Sequence, residues 1–270
     1  MQNSKSSANS KGILIFAFNT PDTDYISIAD CAAALAQKNL NLPVTLITDA
    51  TSDLKFAYDQ VICINDQGDG NFRQTVETDQ TVIWRNFGRY LAYELSPYDQ
   101  TILIDSDYFV LDNSLLLLFD KIEYQIIRNN RGLTGYIENS MGPMSLPYVW
   151  ATVVVFDKSL KSQALFEMVG KVQRNYQYFC SLFNISATNY RNDYAFAIAH
   201  YIISNNDAHY IPYSMCTIDC AIETIELSNK IVVKTTESAH IIPIQNLHIM
   251  SKQFLTSDQF QTFYKAALNV

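Results

Sequence analysis

Residues 100–113, QTILIDSDYFVLDN, decide how this chain is read. Ile102, Leu103 and Ile104 run into Asp105-Ser106-Asp107, and the chain turns apolar again at Tyr108-Phe109-Val110. A short apolar run bounded by polar residues fits a strand buried on both faces. Two carboxylates at its end have two readings. They solvate a turn, where Asp is common, or they point together at one hard cation held by oxygen ligands. The apolar strand in front of them favours the cation. Asp112, just beyond, is expected to cap a helix.

The segments on either side set this strand in a larger pattern. GILIFAF, residues 12–18, is a first strand of the same kind, and NTPDTD breaks it with turn residues. A helix is expected over DYISIADCAAALAQKN, with Asp24 as its N-cap. LPVTLITD and QVICIN predict two more strands, which makes QTILID the fourth. TVIWRNFGRYLAYEL, residues 81–95, carries apolar residues at helical spacing and predicts a helix ending before Ser96-Pro97. YQIIRN and WATVVVFD predict strands, and SLKSQALFEMVGKVQRNYQYF and RNDYAFAIAHYIIS predict helices. IVVK and HIIPI are late strands, and TSDQFQTFYKAAL is a last helix. Strands alternating with helices predict an α/β fold, a mixed, mainly parallel sheet flanked by helices. Such sheets bind ligands at the carboxyl ends of strands, near a switch in strand order. The loop after the first strand and Asp105–Asp107 are both predicted at such ends, so they are expected to form one site.

Bulk properties narrow the class. The chain has 270 residues, 48% hydrophobic and 17% charged, which suits one domain over residues 12–270 behind a disordered polar tail at 1–11. The tail lacks the apolar block of a secretory signal, and no run reaches the length of a membrane span. A cytoplasmic protein, of a microbe or of a phage-infected host cell, is expected. The net charge of −8 disfavours broad contact with nucleic-acid phosphates. Five scattered cysteines suggest inert thiols rather than a disulfide framework. The Gly68-Asp69-Gly70 segment lacks the remaining elements of a dinucleotide fingerprint.

SPYDQTILIDSDYFVLDN resembles the DxD region of GT-A nucleotide-sugar glycosyltransferases, most closely family 8. The resemblance implies a GT-A (Rossmann-like) fold and a metal-dependent enzyme that moves a sugar from a nucleotide-diphospho-sugar, a UDP-sugar, to an acceptor with retention of configuration. It implies Mn²⁺ or Mg²⁺ as cofactor, held by Asp105, Asp107 and His248. His248 and Lys252, in LHIMSK, match the family's late His and Lys, and Lys252 would contact the diphosphate. Ala17, Phe18 and Asn19 fall where the first loop holds the nucleoside, and Ser106 lies within the motif. Arg89 stands where an arginine ahead of the DxD strand meets the donor. RNDYAFAIA matches a segment with the family pattern Asp-Gln-Asp. On that match Asn192 takes the amide position beside the anomeric carbon and Asp193 the carboxylate that binds sugar hydroxyls. Arg191 replaces the pattern's first Asp. From the residues alone, Asn192 and Asp193 read equally as an N-cap, Arg89 as a helix-surface cation, and His248 as a buried strand histidine.

Two other classes share parts of this pattern. Haloacid-dehalogenase-type phosphotransferases also end an apolar strand in Asp-x-Asp, but after the first strand and with Thr or Val where Phe109 stands here. A non-catalytic nucleotide-sugar-binding module would keep the sheet without the chemistry. The acceptor is open among a saccharide, a protein and a lipid, with a modified DNA base disfavoured by charge.

Overall fold

The computed structural model describes residues 10–49, 54–64, 72–74, 81–83, 85–120, 123–142, 145–186, 189–204 and 209–269. The chain opens with β1 (Lys11–Phe16), α1 (Tyr25–Leu40), β2 (Val44–Thr48) and β3 (Gln60–Cys63). An antiparallel pair, β4 (Phe72–Gln74) and β5 (Thr81–Ile83), leads through a three-ten segment at Asn86–Leu91 into the short α2 (Ala92–Leu95). Next come β6 (Gln100–Asp105), β7 (Tyr108–Phe109), a second three-ten segment at Ser114–Asp120, β8 (Tyr124–Ile127), β9 (Asn130–Arg131) and β10 (Trp150–Asp157). Three helices follow, α3 (Leu160–Arg174), α4 (Tyr176–Leu182) and α5 (Asn192–Ser204). The last part holds β11 (Met215–Ile218), β12 (Thr224–Leu227), β13 (Ile231–Lys234), β14 (Ala239–Ile242), β15 (Leu247–Ile249), α6 (Lys252–Leu255) and α7 (Asp258–Asn269).

The central sheet has the order β3-β2-β1-β6-β10-β8. β3, β2, β1 and β6 are parallel, and β10 runs antiparallel between β6 and β8. Alternate residues of each strand feed opposite faces. Ile13, Ile15, Ile102 and Ile104 face α1 and α7, in one core with Leu35, Phe260 and Phe263. Leu14, Phe16, Leu103 and Val154 face α3 and α5, in a second core with Phe166, Val169 and Phe196. Each such side chain, fully removed from water, contributes roughly 1.5–3 kcal/mol. Layers of helix on both faces of a mainly parallel sheet are therefore what the apolar strands demand. At Gly12 on β1 a Cβ would lie 2.3 Å from the Tyr98 ring, whose hydroxyl bonds Thr45 Oγ1 at 2.7 Å, so only glycine lets that ring close over the strand.

Asp24 is the N-cap of α1, as expected: its Oδ1 accepts from Ser27 N at 3.0 Å. Asp112 stands one residue before the cap position of the second three-ten segment: its Oδ1 accepts from Ser114 N at 2.9 Å, while Asn113 O accepts the first backbone bond from Leu116 N at 3.0 Å. The helix expected over residues 81–95 is a correction. Its start is β5, and the helical part is three-ten from Asn86 and α-helical only from Ala92. The long helical pattern after Asp157 divides at Asn175 into α3 and α4. The Gly68–Gly70 segment and residues 1–9 lie outside the described residues. No helix among the described residues is long and apolar enough to cross a membrane.

Candidate functional site

The chain leaves β1 toward β2 and β3 on one side and returns to β6 on the other, so the strand order switches between β1 and β6. Phe16 and Asp105 are paired at the carboxyl ends of these two strands. The crevice beyond such a switch is where open α/β sheets bind ligands. Asp105 ends β6, and Asp107 sits one residue before β7. A second sheet, β7-β15-β11-β9, then brings in the late part of the chain. β7 pairs antiparallel with β15 so that His248 lies opposite Tyr108, and Ile249 N donates to Asp107 O at 3.0 Å. That pairing places the His248 imidazole against Asp107.

Asp105, Asp107 and His248 each offer one ligand atom, and these atoms lie within 4.8 Å of one another. His248 Nε2 is 3.5 Å from Asp107 Oδ1, while its Nδ1 lies 3.3 Å from Thr217 Oγ1 on the neighbouring β11. A hydroxyl on the far nitrogen orients the ring, as partners of metal-binding histidines do. Lys252 Nζ donates to Asp107 Oδ2 and lies 5.6 Å from the centre of the Tyr25 ring. Arg89 is fully buried; Nη1 donates to Asp105 Oδ1 at 2.6 Å and Nη2 to Ala151 O at 2.6 Å. The two cations thus each take one carboxylate oxygen, Arg89 on Asp105 Oδ1 and Lys252 on Asp107 Oδ2, while His248 Nε2 faces Asp107 Oδ1. Two hard oxygens and one imidazole suit a divalent cation of the magnesium or manganese kind. The residues fit a metal.

Burial pushes the Asp105 carboxyl above its ordinary value; Arg89 opposes this, and the charge on Asp107 adds to it. Burial also acts on Asp107, but Lys252 and His248 outweigh it and hold that carboxyl well below the usual range. Lys252 is raised: burial works against its charge, and Asp107 more than compensates. Of the two carboxyls, Asp107 is the one whose surroundings favour the anion more strongly, as suits a metal ligand.

Beside Asp105 opens a cavity of about 100 Å³ lined by Asn86, Asp105, Ala151, Tyr190, Arg191, Asn192 and Asp193. Asn192 and Asp193 do not cap α5. Arg191 O accepts the first helical bond, from Ala195 N at 3.1 Å. Asn192 Nδ2 instead donates to Asn86 O at 3.0 Å, and its Oδ1 accepts from Tyr190 OH at 3.1 Å. Asp193 Oδ1 accepts from Ala151 N at 2.9 Å, tying α5 to β10. Both side chains are thereby locked at the mouth of the crevice. Asn86 Oδ1 and Arg89 Nε are buried with no protein partner. Buried polar atoms left open in this way call for a ligand or water.

The first loop contributes less through side chains. Ala17 and Phe18 are buried, and the Phe18 ring lies 6.4 Å from Phe16 in the core. Asn19 Oδ1 accepts from Ile26 N at 2.9 Å and so shapes the start of α1. Ser106 is buried between the two carboxylates. Sequence reasoning missed Asn86, Tyr190, Tyr148, Trp150 and Thr217. Asn86 and Tyr190 were legible as neighbours of Arg89 and Arg191. Thr217 was not, because only the β11–β15 pairing brings it to His248. Trp150 sets its ring edge-on to His248 at 6.2 Å, and Tyr148 packs against Trp150 and Tyr194.

No family model and no curated protein sequence matches the chain. Solved structures do. The galactosyltransferase LgtC, in complex with donor and acceptor sugar analogs, superposes with a TM-score of 0.56 at 12% identity, over 96% of this chain and 95% of that one. A structure of an LgtC active-site mutant gives 0.54 at 12% identity, with the same coverage of 96% and 95%. The glycosyltransferase GlyE of Streptococcus pneumoniae TIGR4 matches 76% of this chain at 13% identity and a TM-score of 0.38; the chain spans 46% of its length. The fold is that of the GT-A glycosyltransferases.

Proposed function

We propose that the chain is a metal-dependent, family-8-like glycosyltransferase that takes its sugar from a UDP-sugar and retains the anomeric configuration. One observation carries the reading: Asp105, Asp107 and His248 converge at the switch point, beside a cavity walled by Asn192 and Asp193. Mn²⁺ or Mg²⁺ in that set would neutralise the donor diphosphate as its bond to the sugar breaks. The chain's own residues do the rest. Lys252 holds a second positive charge at the same place, and preorganised charge aimed at a leaving group is commonly the largest catalytic contribution. Arg89 fixes Asp105 from behind. Asn192, held by Asn86 and Tyr190, presents its amide to the sugar, and Asp193, anchored by Ala151 N, offers its carboxylate to sugar hydroxyls. Ala17, Phe18 and Asn19 shape the nucleoside end, with Phe18 acting through its backbone.

The acceptor on this reading is a saccharide or a protein. A modified DNA base fits least, because the chain carries −8. Titration with UDP in the presence and absence of Mn²⁺ tests the proposal. UDP should bind with Mn²⁺ and lose at least about tenfold in affinity on Asp107→Ala or metal removal, as loss of a first ligand implies. Binding indifferent to both the metal and Asp107 would contradict it. Proton NMR of the product linkage decides the configuration.

A further inference from the structure

We propose that Thr217 is a positioning residue of the metal site: its hydroxyl lets the His248 ring carry its hydrogen on either nitrogen, so that the ring can take a cation and give it up. The inference rests on the metal-dependent reading and adds how the site exchanges its ion. Thr217, on β11, stands in register with His248 on β15. Both side chains are buried, Thr217 completely. The Trp150 ring stands edge-on to the imidazole at 6.2 Å. Each ring nitrogen meets one polar group: Nδ1 lies 3.3 Å from Thr217 Oγ1, and Nε2 lies 3.5 Å from Asp107 Oδ1.

A neutral imidazole carries one hydrogen, so its two nitrogens play opposite parts. With the hydrogen on Nε2, the ring donates to Asp107 and Nδ1 accepts. With the hydrogen on Nδ1, the Nε2 lone pair is open to a cation and Nδ1 donates. A carboxylate or a carbonyl in place of Thr217 Oγ1 only accepts and would lock the second form. An ammonium only donates and would lock the first. A hydroxyl rotates to serve both. The ring stays neutral throughout: one proton leaves Nε2 for solvent and one arrives from solvent at Nδ1. A buried hydroxyl or imidazole nitrogen left without a partner is costly. With Thr217 behind the ring, neither form leaves one. When the cation departs with the nucleotide, Asp107 takes the N–H and Thr217 turns to donate. The site is thus built to exchange its cation with each nucleotide.

Long-range proton–nitrogen NMR of the full chain, labelled with ¹⁵N at histidine, tests this. The chain has four histidines, and the His248 signals are those lost in His248→Gln. Wild type alone should show the Nε2–H form, and addition of Mg²⁺ with UDP should convert it to Nδ1–H. Calorimetry with Mn²⁺ and UDP gives a second reading. Thr217→Val, which keeps the shape and removes the hydroxyl, should weaken Mn²⁺ binding about ten- to a hundredfold, the usual effect of losing the partner behind a metal ligand. Thr217→Ser, which returns the hydroxyl, should restore it. One ring form with and without Mg²⁺ and UDP overturns the inference, and this result stands on wild type alone if Thr217→Val does not fold. Wild-type Mn²⁺ affinity in Thr217→Val overturns it too, as does a Thr217→Ser chain no better than Thr217→Val. Each of these results leaves Mn²⁺-dependent UDP binding, and with it the transferase reading, standing. A wild-type chain that binds no Mn²⁺ with UDP overturns both.

Discussion

Arg89 is a charged side chain with no solvent exposure, and its position explains why it is there. Its guanidinium spans Asp105 and the Ala151 carbonyl, joining β6 to β10 at the edge of the site. Removing one partner of a buried ion pair leaves the other charge uncompensated. Arg89→Ala should therefore lower stability by about 3–5 kcal/mol, read from the shift of the urea unfolding midpoint. A change below about 1 kcal/mol, the worth of an exposed pair, would return Arg89 to the helix surface where sequence alone had it as readily. The carboxylate motif was legible because an apolar strand ending in two acids is a strong local signal. The state of each acid was not legible. Lys252 and His248 lie far along the chain from Asp107, and only folding sets them against it.

At the scale of elements, the buried strands were easy to see and the short ones were not. β1, β2, β6 and β10 are covered on both faces, so they read as continuous apolar runs. β7, β9 and β15 have two or three residues each, too few for any periodicity, yet they carry the histidine to the site. Residues 81–95 misled because the same apolar spacing serves a strand end, a three-ten segment and one helical turn in succession. Gly88 marks the place: a Cβ there would lie 3.2 Å from Ile64 Cδ1, a close approach that a regular exposed helix does not need. Helix starts were better signalled. Asp24 accepts from both Ser27 N and Ser27 Oγ, at 3.0 and 2.7 Å. Asp24→Ala should cost about 1 kcal/mol in chemical denaturation, the usual worth of such a cap.

The whole molecule carries a buried base that is not among the residues of the carboxylate site. His200, on α5, is 3% exposed and meets Tyr124 OH through Nδ1 at 3.0 Å. Burial, with the charges of His209, Arg128 and Lys161, lowers its pKa from 6.5 to about 4. The folded state thus keeps His200 neutral where the unfolded chain would protonate it. Its contribution to stability is complete above pH 6.5 and is lost as pH falls toward 4. Unfolding free energy should drop across that window by at most roughly 1.4 kcal/mol per pH unit from this residue. His200→Phe should flatten the profile by the same slope, measured by denaturant unfolding at a series of pH values. An unchanged profile would mean that His200 is protonated in the fold.

The fold as a whole was legible because its layers follow from apolar strands alternating with helices. The site took shape only when β7 met β15 and brought Asp105, Asp107 and His248 together. That convergence is the central claim, and anomalous diffraction from a crystal grown with Mn²⁺ and UDP tests it most directly. The predicted result is one manganese peak bound by Asp105, Asp107 and His248, with the diphosphate completing its shell and Lys252 beside it. A peak elsewhere, or bound UDP with no metal at these three residues, would contradict the account.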